Sequence, residues 1–498
     1  MQDSKYVVAA YDFRSKQEYI YRTNRVKEIM GASEILRTAF SDAINAYEGR
    51  IDKSTVGSFS LSAFEESPQA GTVLYEGGGS HVMLFKGDEE FLAFNSHFSR
   101  LLIEKAPGLS PVCGKAEYSS LNDKTFKEVT AKLFDGLDEY KRLSAPLAEA
   151  NVLPFTQIDR KTTLPVVKKI TSPKEDSLSA ESVAKLEKFS TISEEDVQGE
   201  KAHKDVYAQN FDRLITKKGT ESLLAIIYID GNSMGKRVRE YIGEDIAFED
   251  GVNKQREFTK RVNEAFVDSP IRDIRDTVGK LADTEGGPDV FAMRRIVGAG
   301  DEITIICNAR QALNVVKAYF DSLDETNKKY NEKYSACAGI AVFHSHAPFS
   351  AAYEIAEQCC KSGKTRIKAL SKEYGDKSDS CYIDAYFIRG AITGTLDELR
   401  ALHEAGRTAM PYCIRGNDAG HDFKNDFERI GNEMMDKLAR TAVKTLRDAA
   451  FRSKADLDLE LMRLDSDGAK DSLLIAPEDR EFICDVAAFY DLWYTEES

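Results

Sequence analysis

The chain has 498 residues, 42% of them hydrophobic, a single Trp, and a formal net charge of −15 from 68 basic and 83 acidic side chains. That length allows two or three domains with sizeable cores. The charge argues against a broad surface for a long nucleic acid but leaves room for a small anion, or metal ions, held by a local cluster. No apolar stretch approaches the roughly 18 residues of a membrane span, and the opening MQDSKYVVAAYDF lacks the order of a signal peptide, so no membrane partner and a cytoplasmic location are expected.

In chain order, apolar periodicity predicts a strand over 5–12, a helix over about 24–47, a hairpin over 71–86, a helix over 88–104 and a strand over 111–118. A polar, punctuated stretch over 155–205 reads as a connector with a short helix near 178–189. Then come a strand over 223–230, a helix-rich insertion over 233–287 and a hairpin over 289–307. A helix over 309–329, a strand over 335–344 and a helix over 350–363 follow. Helical patterns at 395–405, 422–450 and 476–494 suggest a small C-terminal helical domain.

The order βαββαβ thus occurs twice, which predicts an α+β fold with two ferredoxin-like domains, each an antiparallel sheet with helices on one face. The expected domains are 1–150, a cysteine-free connector 151–219, a second sheet domain 220–390 and a helical domain 391–498. The duplication shows in the letters too. YVVAAYDFRS (6–15) and LAIIYIDGNS (224–233) are apolar runs ending in Asp12 and Asp230. LYEGGGSHVMLF (74–85) and RIVGAGDEITII (295–306) share strand, glycine turn, strand. Gly77, Gly78 and Gly79 match Gly298, Ala299 and Gly300, so Ser80 and His81 stand where Asp301 and Glu302 stand.

Asp230 closes one strand and Asp301–Glu302 opens its expected neighbour, so three carboxylates can converge across 71 residues (301 − 230). Oxygen ligands of this kind suit two hard divalent ions, Mg²⁺ or Mn²⁺, which activate a hydroxyl and stabilise the leaving oxygens of a displacement at phosphorus. Gly298 and Gly300 permit the turn and close approach of the backbone to a phosphate. Acidic Gly-rich turns are also ordinary hairpin chemistry; the strand end at Asp230 and the order of elements favour the metal reading. The eight cysteines are scattered without a C-x-x-C pair, so reduced thiols and no zinc are expected; His344-Ser345-His346 reads as a loop after a strand.

YIDGNSMGK (228–236), GAGDEITII (298–306), SACAGIAVFHSHAPFSAAYEIAEQCCKSGK (335–364) and TNRVKEIMGASEIL (23–36) together resemble the paired palm domains of the large polymerase/cyclase subunit of type III CRISPR effector complexes. The second palm of that family is similar to GGDEF diguanylate cyclases. The resemblance covers about 5–120 and 220–465 and implies that Asp230, Asp301 and Glu302 bind metal and catalyse. Here Ala299 and Glu302 replace a Gly and an Asp of the family's Gly-Gly-Asp-Asp motif. It further implies that Lys364 binds triphosphate, and that Gly77–Gly79 and Ser80 belong to a degenerate palm that holds a second nucleotide without catalytic metals. Gly31-Ala32-Ser33 matches a segment near the nucleotide sites, where Ser33 would bond a base; a close contact between helices is the other reading of these small residues. The His-Asp nuclease domain that members often carry is not expected.

The function so implied is nucleotidyl transfer joining ATP, or a related triphosphate, into a cyclic or linear oligonucleotide second messenger in antiviral signalling. CRISPR-type ribonucleoprotein subunits or an activating RNA are the further partners it implies. A non-catalytic subunit of such a complex and a GGDEF-like GTP cyclase working as a homodimer are the alternatives.

Overall fold

In the computed structural model the described residues are all but 1–4, 24, 48, 54, 56, 78–79, 144–154, 172–174, 193–213, 216–221, 282–289, 377, 389, 391–393, 404–407, 467–481 and 493–498. Their contacts divide the chain into two units. One comprises Met1–Lys204, Ser233–Val267 and Ile296–Asp301; the other comprises Asp205–Asn232, Asp268–Arg295 and Glu302–Ser498.

The first unit is built on β1 (Tyr6–Arg14), whose run YVVAAYDFR is buried along nearly its whole length. A strand apolar on both faces must be central and covered twice. After α1 (Lys16–Tyr21) and α2 (Val26–Ala46) come β2 (Ile51–Asp52), α3 (Leu61–Glu66), and the hairpin β3 (Gly71–Gly77) with β4 (Ser80–Phe85). Next are α4 (Asp88–Lys105), β5 (Ser110–Tyr118) and α5 (Phe126–Leu143). The sheet order is β2-β3-β4-β1-β5, with β1 antiparallel to both β4 and β5. On one face Tyr11 meets Phe40, Phe94 and Phe98 edge to ring, which seats α2 and α4.

The other face holds Tyr6, Val8, Ala10, Leu74 and Leu84 against Phe126, Val129, Leu133 and Leu137 of α5, and against Ile242, Phe248 and Val252. The last three come from α7 (Met234–Ile242) and α8 (Phe248–Asn263), which the sequence reading placed in the second domain. Before them lie the connector hairpin β6 (Val166–Ile170) and β7 (Asp176–Ser179), and α6 (Ala180–Thr191), near the expected short helix. The amphipathic α5 was not expected.

The second unit is built on β8 (Leu223–Gly231), which lies between β12 (Glu302–Asn308) and β13 (Ala336–His344), antiparallel to each. A π-helical turn (Glu264–Asp268) separates α8 from α9 (Ser269–Val278), and short β9 (Lys280–Leu281), β10 (Val290–Phe291) and β11 (Met293–Ala299) precede β12. Helices α10 (Ala312–Tyr330) and α11 (Phe349–Tyr374) flank β13; α11 runs 26 residues, well past the expected end at 363. Gly339 of β13 lets α11 lie close, since a Cβ there would stand 1.9 Å from the Ala356 carbonyl oxygen.

The sheet continues beyond the ferredoxin-like set with β14 (Cys381–Phe387), parallel to β13, and β15 (Tyr412–Arg415), giving the order β11-β12-β8-β13-β14-β15. Neither added strand was expected. The pattern at 422–450 resolves into a π turn (Phe423–Glu428) and two helices (Arg429–Lys437 and Arg440–Arg452), followed by Lys454–Ser466. Of the expected segment 476–494, Ile483–Phe489 is helical and the rest lies partly outside the described residues. Among the described residues no helix is long and apolar enough to cross a membrane.

Candidate active site

The apolar run of β8 ends at Asp230, and β12 begins at Glu302. The register pairs these two residues directly, Glu302 with Asp230 and Ile303 with Ile229. Directly opposed residues on antiparallel strands point to one face with Cβ atoms about 5 Å apart, and like charges so placed repel. A cation at this spot offsets that cost. In the structure it is Lys364 of α11, whose Nζ donates to Asp230 Oδ2 at 2.5 Å and to the Gly231 carbonyl at 2.8 Å. Burial alone would lower the lysine's pKa; the Asp230 carboxylate outweighs it and raises the pKa, so the ammonium persists at neutral pH.

Asp301 occupies the turn before Glu302, after Gly300 at φ 62°, a left-handed conformation that a side chain resists. Gly300 N donates to Asn263 Oδ1 at 3.1 Å. Gly298 and Ala299 end β11. Tyr228, two residues before Asp230, has its pKa raised by burial and then by Glu302 and Asp230, which keeps the phenol protonated. Cys337, paired with Asp230 across β13, is fully buried and its thiol is pushed up to about 12, so it stays neutral. Among the described residues no group of three or more His, Cys, Asp and Glu side chains is arranged to hold a metal.

The first unit repeats the strand end with different chemistry. Asp12, 7% exposed, accepts from Phe13 N at 2.7 Å and is held by Lys16 at 2.5 Å and Lys141 of α5 at 2.8 Å. Tyr11, the residue before Asp12, pairs with His81, as Ile229, the residue before Asp230, pairs with Ile303. Counted from the strand-end aspartates, Ser80 therefore corresponds to Glu302 and His81 to Ile303, one residue off the alignment read from the glycines. His81 stacks on Phe40 with centroids 4.0 Å apart, and burial, then Lys16, lowers its pKa to about 4 against the pull of Asp12, leaving the imidazole neutral. Gly77 closes β3; Gly78 and Gly79 lie outside the described residues.

Ser33 Oγ donates to the Ile296 carbonyl at 2.9 Å, a partner within the protein. Gly31 packs on α6: a Cβ there would stand 1.8 Å from the Lys185 carbonyl oxygen, so a close helix contact accounts for this glycine. His346 N donates to His344 Nδ1 at 3.3 Å in the loop after β13. One His-Asp dipeptide occurs, at His421–Asp422. His421 Nδ1 lies 2.6 Å from the Ala409 carbonyl, and Asp422 caps the π turn by accepting from Asn425 N at 2.7 Å. Lys16, Lys141 and Asn263 were not foreseen; their partners lie far away in sequence or, for Lys16, four residues off with no special spacing.

The fold and the site define a twice-repeated ferredoxin-like protein whose second copy sets a strand-end aspartate, Asp230, directly opposite Glu302. No family model matches the chain, and no curated protein does. Among solved structures it is similar to an apo Csm1–Csm4 cassette (TM-score 0.49, 10% identity, 99% of this chain and 70% of that one). It is also similar to the same cassette with one ATP (0.49, 13%, 99% and 70%) and with cA3 (0.49, 12%, 98% and 70%).

Proposed function

We propose that the chain is a nucleotidyltransferase that joins nucleoside triphosphates, ATP first among them, into a cyclic or linear oligonucleotide of the second-messenger class used in type III CRISPR-like antiviral signalling. The observation that carries this reading is the direct pairing of Asp230 with Glu302, with Asp301 one residue away in the turn. Two carboxylates opposed across strands are costly unless cations meet them. The donor set is oxygen only at a partly exposed strand end, which suits hard Mg²⁺ or Mn²⁺.

Asp230, Asp301 and Glu302 do not form a three-carboxylate cluster while Lys364 holds Asp230; once Lys364 yields, they would hold two such ions, whose chemistry is to acidify a ribose hydroxyl and to neutralise charge at phosphorus. The hydroxyl oxygen of one nucleotide attacks the α-phosphorus of another and gives its proton to solvent water; the bond to the β,γ-pyrophosphate breaks, and pyrophosphate leaves with that bond's electron pair. Lys364 neutralises Asp230 while no other cation is present. On entry of the triphosphate the same ammonium transfers to phosphate oxygens and releases the carboxylate. Tyr228, held as a phenol by burial, does not serve as the base. In the first copy Lys16 and Lys141 neutralise Asp12, so the second nucleotide is bound there, near Gly77 and Ser80, without reaction. CRISPR-type subunits or an RNA activator are the partners this reading entails.

Incubation of the purified chain with each labelled triphosphate and Mn²⁺, followed by separation of products, tests it. Oligonucleotide and pyrophosphate from ATP, lost in Asp230→Ala and Asp301→Ala, are expected. A chain inert with every nucleotide and candidate activator is a non-catalytic subunit, and a dinucleotide from GTP alone identifies a GGDEF-like enzyme.

A further inference from the structure

Helix α8 carries Gln255, Thr259 and Asn263 four residues apart, a spacing that puts all three along one stripe of the helix. At the end of this stripe Asn263 Oδ1 accepts the Gly300 N–H at 3.1 Å, in the turn whose next residue is Asp301. At its start, a Cβ on Gly77 would stand 3.4 Å from Gln255 Nε2 and 3.5 Å from Thr259 Oγ1, and Gln255 donates to Thr259 at 3.3 Å. One polar stripe thus runs beside the glycine turns of both hairpins.

The helix that carries it is firmly held. Arg256 donates to the Leu74 and Val73 carbonyls at 2.5 and 2.7 Å, along the edge of β3. Asn253 exchanges two bonds with the backbone of Phe59, at 2.6 and 3.0 Å. Directly after Asn263 the helix widens into the π turn Glu264–Asp268, with Ala265 and Phe266 buried. Such single-turn widenings re-aim the residues beside them and occur often at functional sites.

We infer that Asn263 is a positioning residue for Asp301: it pins the left-handed Gly300 and so fixes where the carboxylate that follows it points. The helix anchored on β3 is the rigid support for that pin. This assignment rests on the proposed function for the role of Asp301. Residues that orient metal ligands through a hydrogen bond typically change metal affinity by 10–100-fold when removed.

The test compares wild type with Asn263→Ala and Asn263→Asp, the second of which keeps an acceptor oxygen in the same place. Three quantities are read: Mn²⁺ binding by electron paramagnetic resonance without nucleotide, hydrogen–deuterium exchange of peptides spanning 296–303, and kcat against KM with ATP. The expected result for Asn263→Ala is faster exchange in that peptide, Mn²⁺ binding weakened by roughly tenfold or more, and a fall in kcat larger than any change in KM. Asn263→Asp restores slow exchange and Mn²⁺ binding. Slow exchange and unchanged Mn²⁺ binding in Asn263→Ala, in a preparation whose wild type binds Mn²⁺ and turns over, overturn the assignment of Asn263 alone. A wild type that binds no Mn²⁺ and makes no product overturns the proposed function, and this assignment with it.

Discussion

Gly31→Ala separates two accounts of the small-residue segment in α2. The added Cβ would sit 1.8 Å from the Lys185 carbonyl oxygen and 2.7 Å from its carbon. Ordinary carbon–oxygen contact is above 3 Å, so α6 has to retreat by more than an ångström. The retreat is costly because α6 is tied down by buried charge. Lys185, wholly buried, donates to Glu181 at 2.6 Å and to the Tyr19 carbonyl at 2.5 Å, and Ser182 Oγ donates to Glu28 at 2.9 Å. Stretching one charge-assisted bond beyond reach loses about 1.5–3 kcal/mol, and overpacking adds roughly 1–3 kcal/mol. Better helix propensity returns about 1 kcal/mol, so a net loss of about 3 kcal/mol is expected. At a urea m-value of about 3 kcal/mol/M, the midpoint of the first unit falls by about 1 M. Urea unfolding, with hydrogen exchange of the 180–191 peptide as the local reporter, measures it. An unchanged midpoint together with a raised KM for nucleotide would refute the packing argument and return Gly31 to the nucleotide site.

Glu302→Gln removes one of the opposed charges, so product formation should fall by at least a hundredfold while thermal stability holds or rises; retained turnover counts against the site. Lys364→Met should lower kcat with ATP and leave Asp230 repelling Glu302, visible as stability that recovers on adding Mn²⁺; no such recovery would show that Lys364 is not the resident counter-cation. His81 is neutral in the fold down to about pH 4, whereas the unfolded chain protonates near 6.5. Its folded pKa is the lower one, so stability is present above 6.5 and declines as pH falls toward 4, by up to about 3 kcal/mol. His81→Phe, which keeps the stack on Phe40, should flatten that part of the stability–pH curve. Asp485, buried against Tyr412 OH at 2.8 Å and Ala409 N at 2.9 Å, has its pKa pushed up by burial to about 6, so its effect has the opposite sign. The fold holds the proton that the unfolded chain has released, and stability rises as pH falls from 6 to 4; Asp485→Asn should abolish this rise, measured by denaturant titration at each pH.

How much of this was legible in the letters depended on range. β1 and β8 announced themselves as apolar runs ending in Asp, and the glycine turns located both hairpins, because these signals lie within about ten residues of chain. Register did not: the pairing of Tyr11 with His81, as Ile229 pairs with Ile303, depends on the whole ladder, and aligning the glycines alone is one residue off it. Helix α5 carries Phe126, Val129, Leu133 and Leu137 at helical spacing and was readable, but it lies past the point where the ferredoxin-like pattern is complete. The same is true of β14. Lys141 reaches Asp12 from 129 residues away, and Asn263 reaches Gly300 across 37, and no local periodicity encodes either meeting.

The passage of residues 233–267 into the core of the first unit bears on how this protein can be divided. A fragment ending in the connector carries every strand of the first sheet but lacks Ile242, Phe248 and Val252, the side chains packed over Val8, Leu74 and Leu84. Such a fragment would present that apolar face to water and self-associate. A fragment starting after the connector would in turn release α7 and α8 with nothing to cover. Splitting the gene at the connector is therefore expected to yield two aggregation-prone pieces, and coexpression is expected to let the helices find their sheet, so complementation between fragments is the form in which a divided version of this chain would survive.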